Sequence, residues 1–344
     1  MTTSDAAWPP SLHDLVRAGN VAGSLEERNT ARVIQESKRK IIMSGTLSRR
    51  DTRISVLIIA LLSTLAMLLL SACSGGSSSS EGNSESSGSA ASGSSTFRTL
   101  DEIKSSGVIK VGVFSDKAPF GSVNSEGEYE GYDIEYAKRI ADDLGVEVEY
   151  VPVEAAARVE FVDTGKVDVI LANFTVTDER KEKVDFANPY LKVSLGVASP
   201  DSAPIKDVSE LADKTVLVVK GTTAESYLEK EHPELKLQKY EQYTEVTNAL
   251  IDGRGAAWVT DNTEALAWAG QTEGFSASIT SLGDPDNIAA AVAKGNSTVL
   301  DFLNEELVTL DSEKFFFDDF EKTLLPVYGD QIKPEELVFS AEER

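Results

Sequence analysis

Three polar clusters in the sequence carry residue types that can hold a small molecule bearing both a positive and a negative charge. Each cluster directly follows an apolar run: Asn173 and Thr175 with Arg180, then Thr222 and Thr223, and then Asp261. A planar guanidinium binds a carboxylate through two hydrogen bonds, and amides at a helix N-terminus donate to anions. A carboxylate in turn accepts hydrogen bonds from an ammonium. The clusters together predict a site for a zwitterion.

Each cluster also has a plainer structural interpretation. Arg180 lies in the charged run DERKEK and could be a solvated surface charge. Residues 221–223 could form only a turn and a helix cap, and Asp261 could be the N-cap of the helix that follows it. The residues by themselves leave these alternatives open.

The composition argues against several other kinds of site. The 344-residue chain contains two histidines, His13 and His232, and one cysteine, Cys73. A zinc site of thiolates and imidazoles, a Ser-His-Asp triad and a Cys-His pair are therefore hard to build. We expect no catalytic residue, no metal and no cofactor. The net charge of −24 argues against nucleic acid as a partner.

The clusters lie on a chain that alternates between strand-like and helix-like segments. The strand-like segments are residues 108–114, 146–153, 167–174, 214–221, 256–261 and 286–295. The helix-like segments are residues 132–145, a short one around Val159, and residues 224–231, 244–253, 263–270 and 297–324. This alternation predicts an α/β fold with a parallel sheet. Ligands of such sheets bind beyond the carboxyl ends of the strands, which is where the three clusters fall.

The N-terminal part of the sequence has the layout of an export signal. Residues 54–72 are 19 uncharged residues preceded by three arginines, and the tetrapeptide LSAC at residues 70–73 resembles a bacterial lipobox. We therefore predict a lipoprotein signal peptide over residues 43–72, cleaved before Cys73, whose sulfur carries a diacylglycerol. An uncut membrane helix is the alternative, because the uncharged run is nearly long enough to span a bilayer. In both cases the preceding basic residues place the rest of the chain outside the cell.

Two further segments flank the signal. Residues 1–42 fit it poorly, because the region before an apolar export segment is normally short, so we regard them as a doubtful N-terminal extension and Met43 as the start. Residues 73–96 consist mainly of serine and glycine, a composition that buries nothing and forms a flexible linker. The folded body is expected to follow this linker.

Four segments of the body resemble a known family. They are GYDIEYAKRIADDLG, GKVDVILANFTVTDERKEKVDFANPYLKVSLGV, KGTTAESY and VTDNTEA. In order and spacing they resemble the family 3 solute-binding proteins of ABC importers for polar amino acids, and most closely the cysteine and cystine branch. The resemblance covers about residues 97–340. It implies an α/β, two-lobed, periplasmic-binding-protein-like (type II) fold with a hinge and a ligand cleft between the lobes.

The resemblance also implies how the lobes are divided. Lobe 1 is expected over residues 97–192 and 288–340, and lobe 2 over residues 193–287. The chain is expected to cross between them near Tyr190 to Ser194 and near Asn287 to Ala291.

The main ligand contacts follow from the same resemblance. Arg180 is expected to bind the α-carboxylate of an amino acid, helped by Thr175 and by the backbone amides of Thr222 and Thr223. From the opposite lobe, Asp261 is expected to accept the α-ammonium, a role that the carbonyl of Asn173 would share.

Selectivity is expected to depend on the pocket for the ligand side chain. Relatives that hold glutamine or basic amino acids place aromatic rings at the positions of Lys117 and Ala155, and relatives for aspartate or glutamate place a basic residue at Phe114 beside an arginine. Here Phe114 and Arg158 form a small, partly apolar pocket with one donor group. We expect cysteine or cystine first and glutamate or aspartate next. The alternatives are ordinary core packing for Phe114 and a surface ion pair for Arg158.

The resemblance implies a binding protein rather than an enzyme. We expect a monomeric lipoprotein, anchored through Cys73 on the extracellular face of the cell membrane or in the periplasm, that delivers an amino acid to an ABC permease and ATPase. One alternative is a dehydratase on the same fold, which would need a general acid near the ligand. The other is a ligand-sensing surface lipoprotein or adhesin.

Replacing Cys73 with alanine tests the lipid anchor. The variant should lose labelling by radioactive palmitate and leave the membrane fraction, because the sulfur that carries the lipid is gone. Metabolic labelling and membrane fractionation measure the two effects. A variant that stays lipid-labelled and membrane-bound would contradict the lipoprotein interpretation.

Overall fold

The structure, a computed structural model, describes residues 96–340 and Glu343. The predicted N-terminal extension, the signal peptide, Cys73 and all but the last residue of the linker lie outside these residues. Within the described part, no helix combines the length and the apolar character that crossing a membrane requires. The same residues contain no group of three or more His, Cys, Asp or Glu arranged to hold a metal ion.

Strands and helices alternate along the described chain. The strands are β1 (Val108–Val113), β2 (Asp116–Lys117), β3 (Gly121–Val123), β4 (Tyr129–Glu130), β5 (Glu147–Pro152), β6 (Val169–Ile170), β7 (Val184–Pro200), β8 (Thr215–Val219), β9 (Lys236–Tyr240), β10 (Ala257–Asp261) and β11 (Phe275–Ala293). The α-helices are α1 (Leu100–Ser106), α2 (Tyr132–Leu144), α3 (Arg158–Asp163), α4 (Asp178–Lys181), α5 (Thr223–Glu231), α6 (Tyr243–Ile251), α7 (Asn262–Gln271), α8 (Ser297–Glu313), α9 (Phe315–Asp319), α10 (Leu325–Tyr328) and α11 (Pro334–Leu337). Short 3₁₀ segments (Ala155–Ala157, Val208–Leu211 and Gly329–Gln331) and a π-helical turn (Phe320–Leu324) complete the elements.

The α/β class is confirmed, although several elements differ in extent from the prediction. The strand predicted over residues 167–174 is limited to β6, because the chain bends at Ala172 and at Asn173, which has a φ of 42°. The strand predicted over residues 286–295 is the end of the much longer β11. Strands β2, β3, β4, β7 and β9 were not predicted.

One eight-stranded sheet runs through the body in the order β5-β1-β6-β11-β7-β10-β8-β9. The predicted parallel pairing is correct for β5, β1 and β6 at one side and for β10, β8 and β9 at the other. It is wrong in the middle, where β11 is antiparallel to β6 and β7, and β7 is antiparallel to β10. The reason is that β7 carries the chain from one parallel group to the other, and β11 carries it back.

The segments predicted as chain crossings are direct neighbours in this sheet. Val193 of β7 pairs with Asp286 of β11, and Leu191 pairs with Ile288. Shifts of register interrupt the pairing on both sides of this point, between Leu282 and Asp286 and again just after Ile288. Such irregularities disrupt a ladder locally and bend it.

Helix α2 shows how the sequence pattern produces a buried face. Ile134, Ala137, Ile140 and Leu144 recur at helical spacing, and all four are buried in one apolar cluster. Gly145 ends the helix with a φ of 67°, a left-handed conformation that glycine adopts without steric cost.

The C-terminal helical stretch is interrupted where the sequence predicted continuous helical character. Lys314 adopts a φ of 60°, which ends α8 and starts the short α9 in a new direction. The ring of Phe316 then stacks on Tyr190 of β7, with ring centroids 5.7 Å apart. The C-terminal segment therefore packs against β7 close to the predicted crossing.

Candidate ligand-binding site

Two of the predicted residues, Arg158 and Arg180, converge on one backbone oxygen. Arg180 donates from Nη2 to the carbonyl of Gly221 at 2.8 Å, and Arg158 donates from Nη2 to the same oxygen at 3.0 Å. Their guanidinium carbons also lie 4.6 Å and 4.4 Å from the ring centroid of Phe174. Burial first, and then the neighbouring charge of Arg158, lowers the pKa of Arg180 to about 9. Burial likewise lowers the pKa of Arg158.

Backbone carbonyls, rather than carboxylates, hold both guanidinium groups. Arg158 also donates to the carbonyls of Ala155 and Ala172, each at 2.9 Å, and Arg180 donates to the carbonyl of Thr175 at 2.7 Å. Neither arginine forms a salt bridge with any residue in the described part of the chain. The interpretation of Arg158 as a surface ion pair is therefore wrong, and Arg180 is not a freely solvated charge.

Thr222 and Thr223 start helix α5 directly beside the two arginines. The Thr222 hydroxyl accepts a hydrogen bond from the amide of Glu225 at 3.3 Å and donates to the carbonyl of Val219 at 2.7 Å. The plainer interpretation as a helix cap is thus correct for this side chain. The same turn also brings the N-terminus of α5 next to Arg180, because Gly221 is the residue that both arginines contact.

Asn173 links the arginines to a buried carboxylate. Its backbone carbonyl accepts a hydrogen bond from Nη1 of Arg158 at 3.1 Å, and its backbone amide donates one to Oδ2 of Asp133 at 2.7 Å. The other oxygen of Asp133 accepts from the hydroxyl of Tyr190 at 2.5 Å, and burial raises the pKa of Asp133 to about 6. The side-chain oxygen and nitrogen of Asn173 are buried and have no hydrogen-bond partner among the described residues. Unpaired buried polar atoms are costly, so they mark a place where a polar ligand is expected.

Asp261 is buried at the carboxyl end of β10 and pairs with a cation. Asp261 is the N-cap residue of α7, as the plainer interpretation predicted, but its side chain makes no capping hydrogen bond. Its Oδ2 instead accepts from Nζ of Lys117 at 2.8 Å. The charge of Asp261 also acts to raise the pKa of Arg158 and of Arg180, opposing the effect of burial.

Lys117 also belongs to the site, although the sequence indicated only that this position lacks the aromatic ring of the relatives that hold glutamine or basic amino acids. Its side chain is 1% exposed, and Nζ lies 4.8 Å from the ring centroid of Tyr243, 5.5 Å from Phe120 and 5.7 Å from Phe114. Burial acts to lower the pKa of Lys117, but the nearby carboxylates, Asp261 first, outweigh it and raise that pKa. A lysine in the otherwise apolar stretch KAPFG was the available signal.

Glu264 is a second carboxylate that the sequence analysis missed. Its Oε2 lies 3.8 Å from Nζ of Lys117, and burial raises the pKa of Glu264 to about 8. The signal was its position three residues after Asp261 at the start of a predicted helix, where both side chains can reach the same side of the helix end.

Further contacts hold residues 114–180 against residues 221–264. The carboxylate of Asp116 accepts from the amides of Tyr243 and Thr244, at 2.8 and 3.3 Å, at the start of α6. Two cavities of about 270 and 290 Å³ lie beside this contact, and both are lined by Asp116 and Tyr243. Phe114 is fully packed, as its core interpretation predicted, and it also lines the smaller cavity.

The structure therefore brings the predicted residues into one cluster. Phe114, Arg158, Asn173, Thr175, Arg180, Thr222 and Thr223 surround Gly221 and Phe174, and Asp261 joins them through Lys117. The arrangement presents cations and a helix N-terminus at one end and carboxylates at the other. Such a cluster can bind a zwitterion.

Comparison with known proteins identifies similar chains. Residues 109–316 match the family model of the bacterial extracellular solute-binding proteins, family 3. The ABC transporter glutamine-binding protein GlnH of Bacillus subtilis (strain 168) is 33% identical over 229 residues, which cover 65% of this chain and 84% of the relative.

Two solved structures are also similar over nearly their whole length. The solute receptor for L-cysteine of Neisseria gonorrhoeae has 50% sequence identity and a TM-score of 0.70, and the match covers 71% of this chain and 100% of that chain. The cysteine-binding protein from Campylobacter jejuni has 46% identity and a TM-score of 0.69, covering 70% and 99%. These similarities confirm the predicted fold class, the two-lobed, periplasmic-binding-protein-like fold.

Gly221 gives a test of whether close approach at this cluster is needed for binding. A Cβ atom at Gly221 would lie 2.4 Å from Cα and 2.7 Å from the amide nitrogen of Ala156, and these backbone atoms cannot rotate away. Gly221→Ala should therefore keep α5 away from the arginines and weaken the binding of an amino-acid ligand, measured by calorimetry, by about tenfold or more.

Gly253→Ala is the matched control for this variant. Gly253 has a φ of 71°, close to the 73° of Gly221, but a Cβ there would meet no atom within 4 Å. Both variants thus carry the same backbone strain, and only one carries the steric overlap. Equal affinities in the two variants would contradict the importance of this close approach.

Proposed function

The chain belongs to the bacterial extracellular solute-binding proteins of family 3, and from this premise we propose that it captures an L-amino acid outside the cell for an ABC importer. The amino acid is delivered to the permease and ATPase of that importer. L-cysteine or cystine is the first candidate ligand, and glutamate or aspartate the next. The 50% and 46% identity to two proteins named for cysteine supports this order.

The observation that carries the proposal is a pair of guanidinium groups, one buried and one half-buried, without a carboxylate hydrogen-bond partner among the described residues, beside the N-terminus of α5. A buried charge is stable only when it is paired and hydrogen-bonded, so this cluster favours an anion. The α-carboxylate of an amino acid is proposed to bind Arg180, with Thr175 and the amides of Thr222 and Thr223 as further contacts.

The two arginines differ in the number of backbone hydrogen bonds that they already donate, and this difference supports different roles for them in the site. Arg158 donates to four backbone carbonyls, whereas Arg180 donates to two and has more N–H groups left for a ligand. This difference supports Arg180 as the carboxylate-binding residue. Arg158 has few donors left to hold a second carboxylate, which supports a ligand with a small side chain next to Phe114 over glutamate or aspartate.

Asp261 is proposed to bind the α-ammonium of the ligand. It already accepts a hydrogen bond from the ammonium of Lys117 at 2.8 Å, so its position and orientation suit this type of donor. The carbonyl of Asn173 is proposed as a second acceptor. A zwitterion would then pair with a cation at one end and with a carboxylate at the other.

The proposed lobes follow the topology of the sheet. Lobe 1 comprises residues 97–192 and 288–340 and contributes Arg180, and lobe 2 comprises residues 193–287 and contributes Asp261. The direct pairing of Leu191 with Ile288, flanked by shifts of register, supports a hinge at the two crossings. A ligand that contacts both lobes stabilises the closed arrangement and shifts the hinge equilibrium toward it.

A lipid anchor on Cys73 is proposed to retain the protein outside the cell. Cleavage of a signal peptide over residues 43–72 leaves Cys73 as a lipid-modified N-terminus, and residues 73–96 connect it to the binding body. The protein is proposed to act as a monomer. In this proposal, a linker rich in serine and glycine lets the folded body move near the membrane in which the permease lies.

Removing either charged end of the site should abolish tight binding. Arg180→Ala and Asp261→Ala should each weaken L-cysteine binding by at least about thirtyfold, because each leaves one charge of the bound ligand unpaired in a buried site. Isothermal titration calorimetry measures the effect. Arg254→Ala is the control, because Arg254 is an exposed arginine outside the cluster that forms a salt bridge with the nearby Asp252 and lies over the ring of Tyr240. Unchanged affinity in the Arg180 or Asp261 variant, with the fold intact, would refute these assignments.

One observation favours a second candidate function, a dehydratase on the same fold. Such an enzyme needs a general acid, and the buried Glu264, with a pKa of about 8, holds a proton at neutral pH next to the proposed ammonium site. The proposed binding function predicts instead that the ligand is returned unchanged. Mass spectrometry of L-cysteine, glutamate and aspartate after long incubation with the protein should show no product. Product formation that Glu264→Gln abolishes would identify the protein as an enzyme.

A further inference from the structure

The ammonium of Lys117 already binds Asp261, the carboxylate that the proposed function assigns to the α-ammonium of the ligand. Its Nζ lies 2.8 Å from Oδ2 of Asp261, and its side chain is buried among the rings of Phe114, Phe120 and Tyr243. An amino acid that binds Asp261 brings a second ammonium to this carboxylate. Two ammonium groups close together repel each other, so Lys117 needs another partner once the ligand is bound.

Glu264 is placed to be that partner. Its Oε2 lies 3.8 Å from Nζ of Lys117, is buried, and has no hydrogen-bond partner among the described residues. A shift of about 1 Å would bring the lysine within hydrogen-bond distance of this oxygen. Because burial raises the pKa of Glu264 to about 8, its carboxyl group is mostly uncharged while Lys117 pairs with Asp261, and it releases its proton to solvent when the Lys117 ammonium moves to it.

We propose that Lys117 is a selectivity residue that moves from Asp261 to Glu264 when the ligand's α-ammonium binds, and that excludes amino acids with a cationic side chain. The inference rests on the proposed amino-acid binding function. Lys117 stays within the cleft in both pairings, because its side chain is enclosed by three aromatic rings and both carboxylates lie on the first turn of α7 or next to it.

The positive charge of Lys117 lies beside the proposed pocket for the ligand side chain. Lys117 and Arg158 lie 5.7 and 5.5 Å from the ring centroid of Phe114, so two cations border this ring. A ligand with an ammonium or guanidinium side chain would add a third cation in a site with little water. A neutral side chain meets no such repulsion, and this difference is the basis of the selectivity.

Lys117→Met tests the exclusion of cationic ligands. The probes are L-cysteine, L-2,4-diaminobutyrate, whose side chain carries an ammonium, and L-norvaline, which has the same shape without the charge. Competition calorimetry should show that Lys117→Met still binds L-cysteine. The ratio of its affinity for diaminobutyrate to its affinity for norvaline should be about tenfold or more higher than in the wild type. Lys138→Met, at an exposed lysine of α2, should leave this ratio unchanged. Lys117→Gln is the second variant if the methionine variant fails to fold.

Glu264→Gln tests the change of partner. Without the second carboxylate, Lys117 and the ligand compete for Asp261, so L-cysteine binding should weaken by about tenfold. The double variant Lys117→Met with Glu264→Gln should recover this loss, because the competing ammonium is gone. A purely structural role of Glu264 would leave the double variant as weak as the single one.

The outcomes separate the inference from the function on which it rests. A wild-type protein that binds no amino acid overturns both. Binding of L-cysteine by the wild type, with the same ratio of diaminobutyrate to norvaline in Lys117→Met, overturns the selectivity role alone. Failure of the double variant to recover binding overturns the change of partner.

Discussion

The need of two neighbouring guanidinium groups, one buried and one half-buried, for an anion is the constraint that organises this molecule. Arg158 and Arg180 contact the same carbonyl and the same phenylalanine ring, and within the described residues their hydrogen bonds all go to backbone carbonyls. Keeping these like charges together has an electrostatic cost that ordinary packing does not require. The neighbouring helix N-terminus of α5 adds a partial positive charge at the same point. The cluster is therefore suited to binding an anion more than to stabilising the fold.

The topology of the sheet explains how the two ends of the site face each other. The two arginines follow strands β5 and β6 of one parallel group, whereas Gly221 follows β8 and Asp261 ends β10 in the other group. Only the antiparallel pair β7 and β11 connects the groups within the sheet. Asp133 links this connection to the site, because its carboxylate binds both the amide of Asn173 and the hydroxyl of Tyr190 on β7. Contacts made at the site are thereby coupled to the strand that carries the proposed hinge.

The charges of the site contrast with those of the whole chain. The chain contains 57 acidic and 33 basic residues, yet three of the basic ones converge on a single buried cluster. Charges buried in a cleft are less screened by salt than those on the surface, so these cations and the neighbouring carboxylates act strongly on one another. In the proposed function, Asp261 and Glu264 balance them in turn, which lets a neutral zwitterion bind without leaving a charge unpaired.

The sequence by itself determined the α/β class, most of the helices, and the residue types of the site, because these follow from local periodicity and from motifs such as TDERK and GTTAES. It did not determine the antiparallel middle of the sheet, since the strand direction there depends on how two distant segments, β7 and β11, pair. Nor did it identify Lys117 and Glu264 as site residues. Their importance comes from burial and from a carboxylate 144 positions along the chain from Lys117. Only the tertiary structure brings such groups together, and the loss of water around them makes their charges decisive.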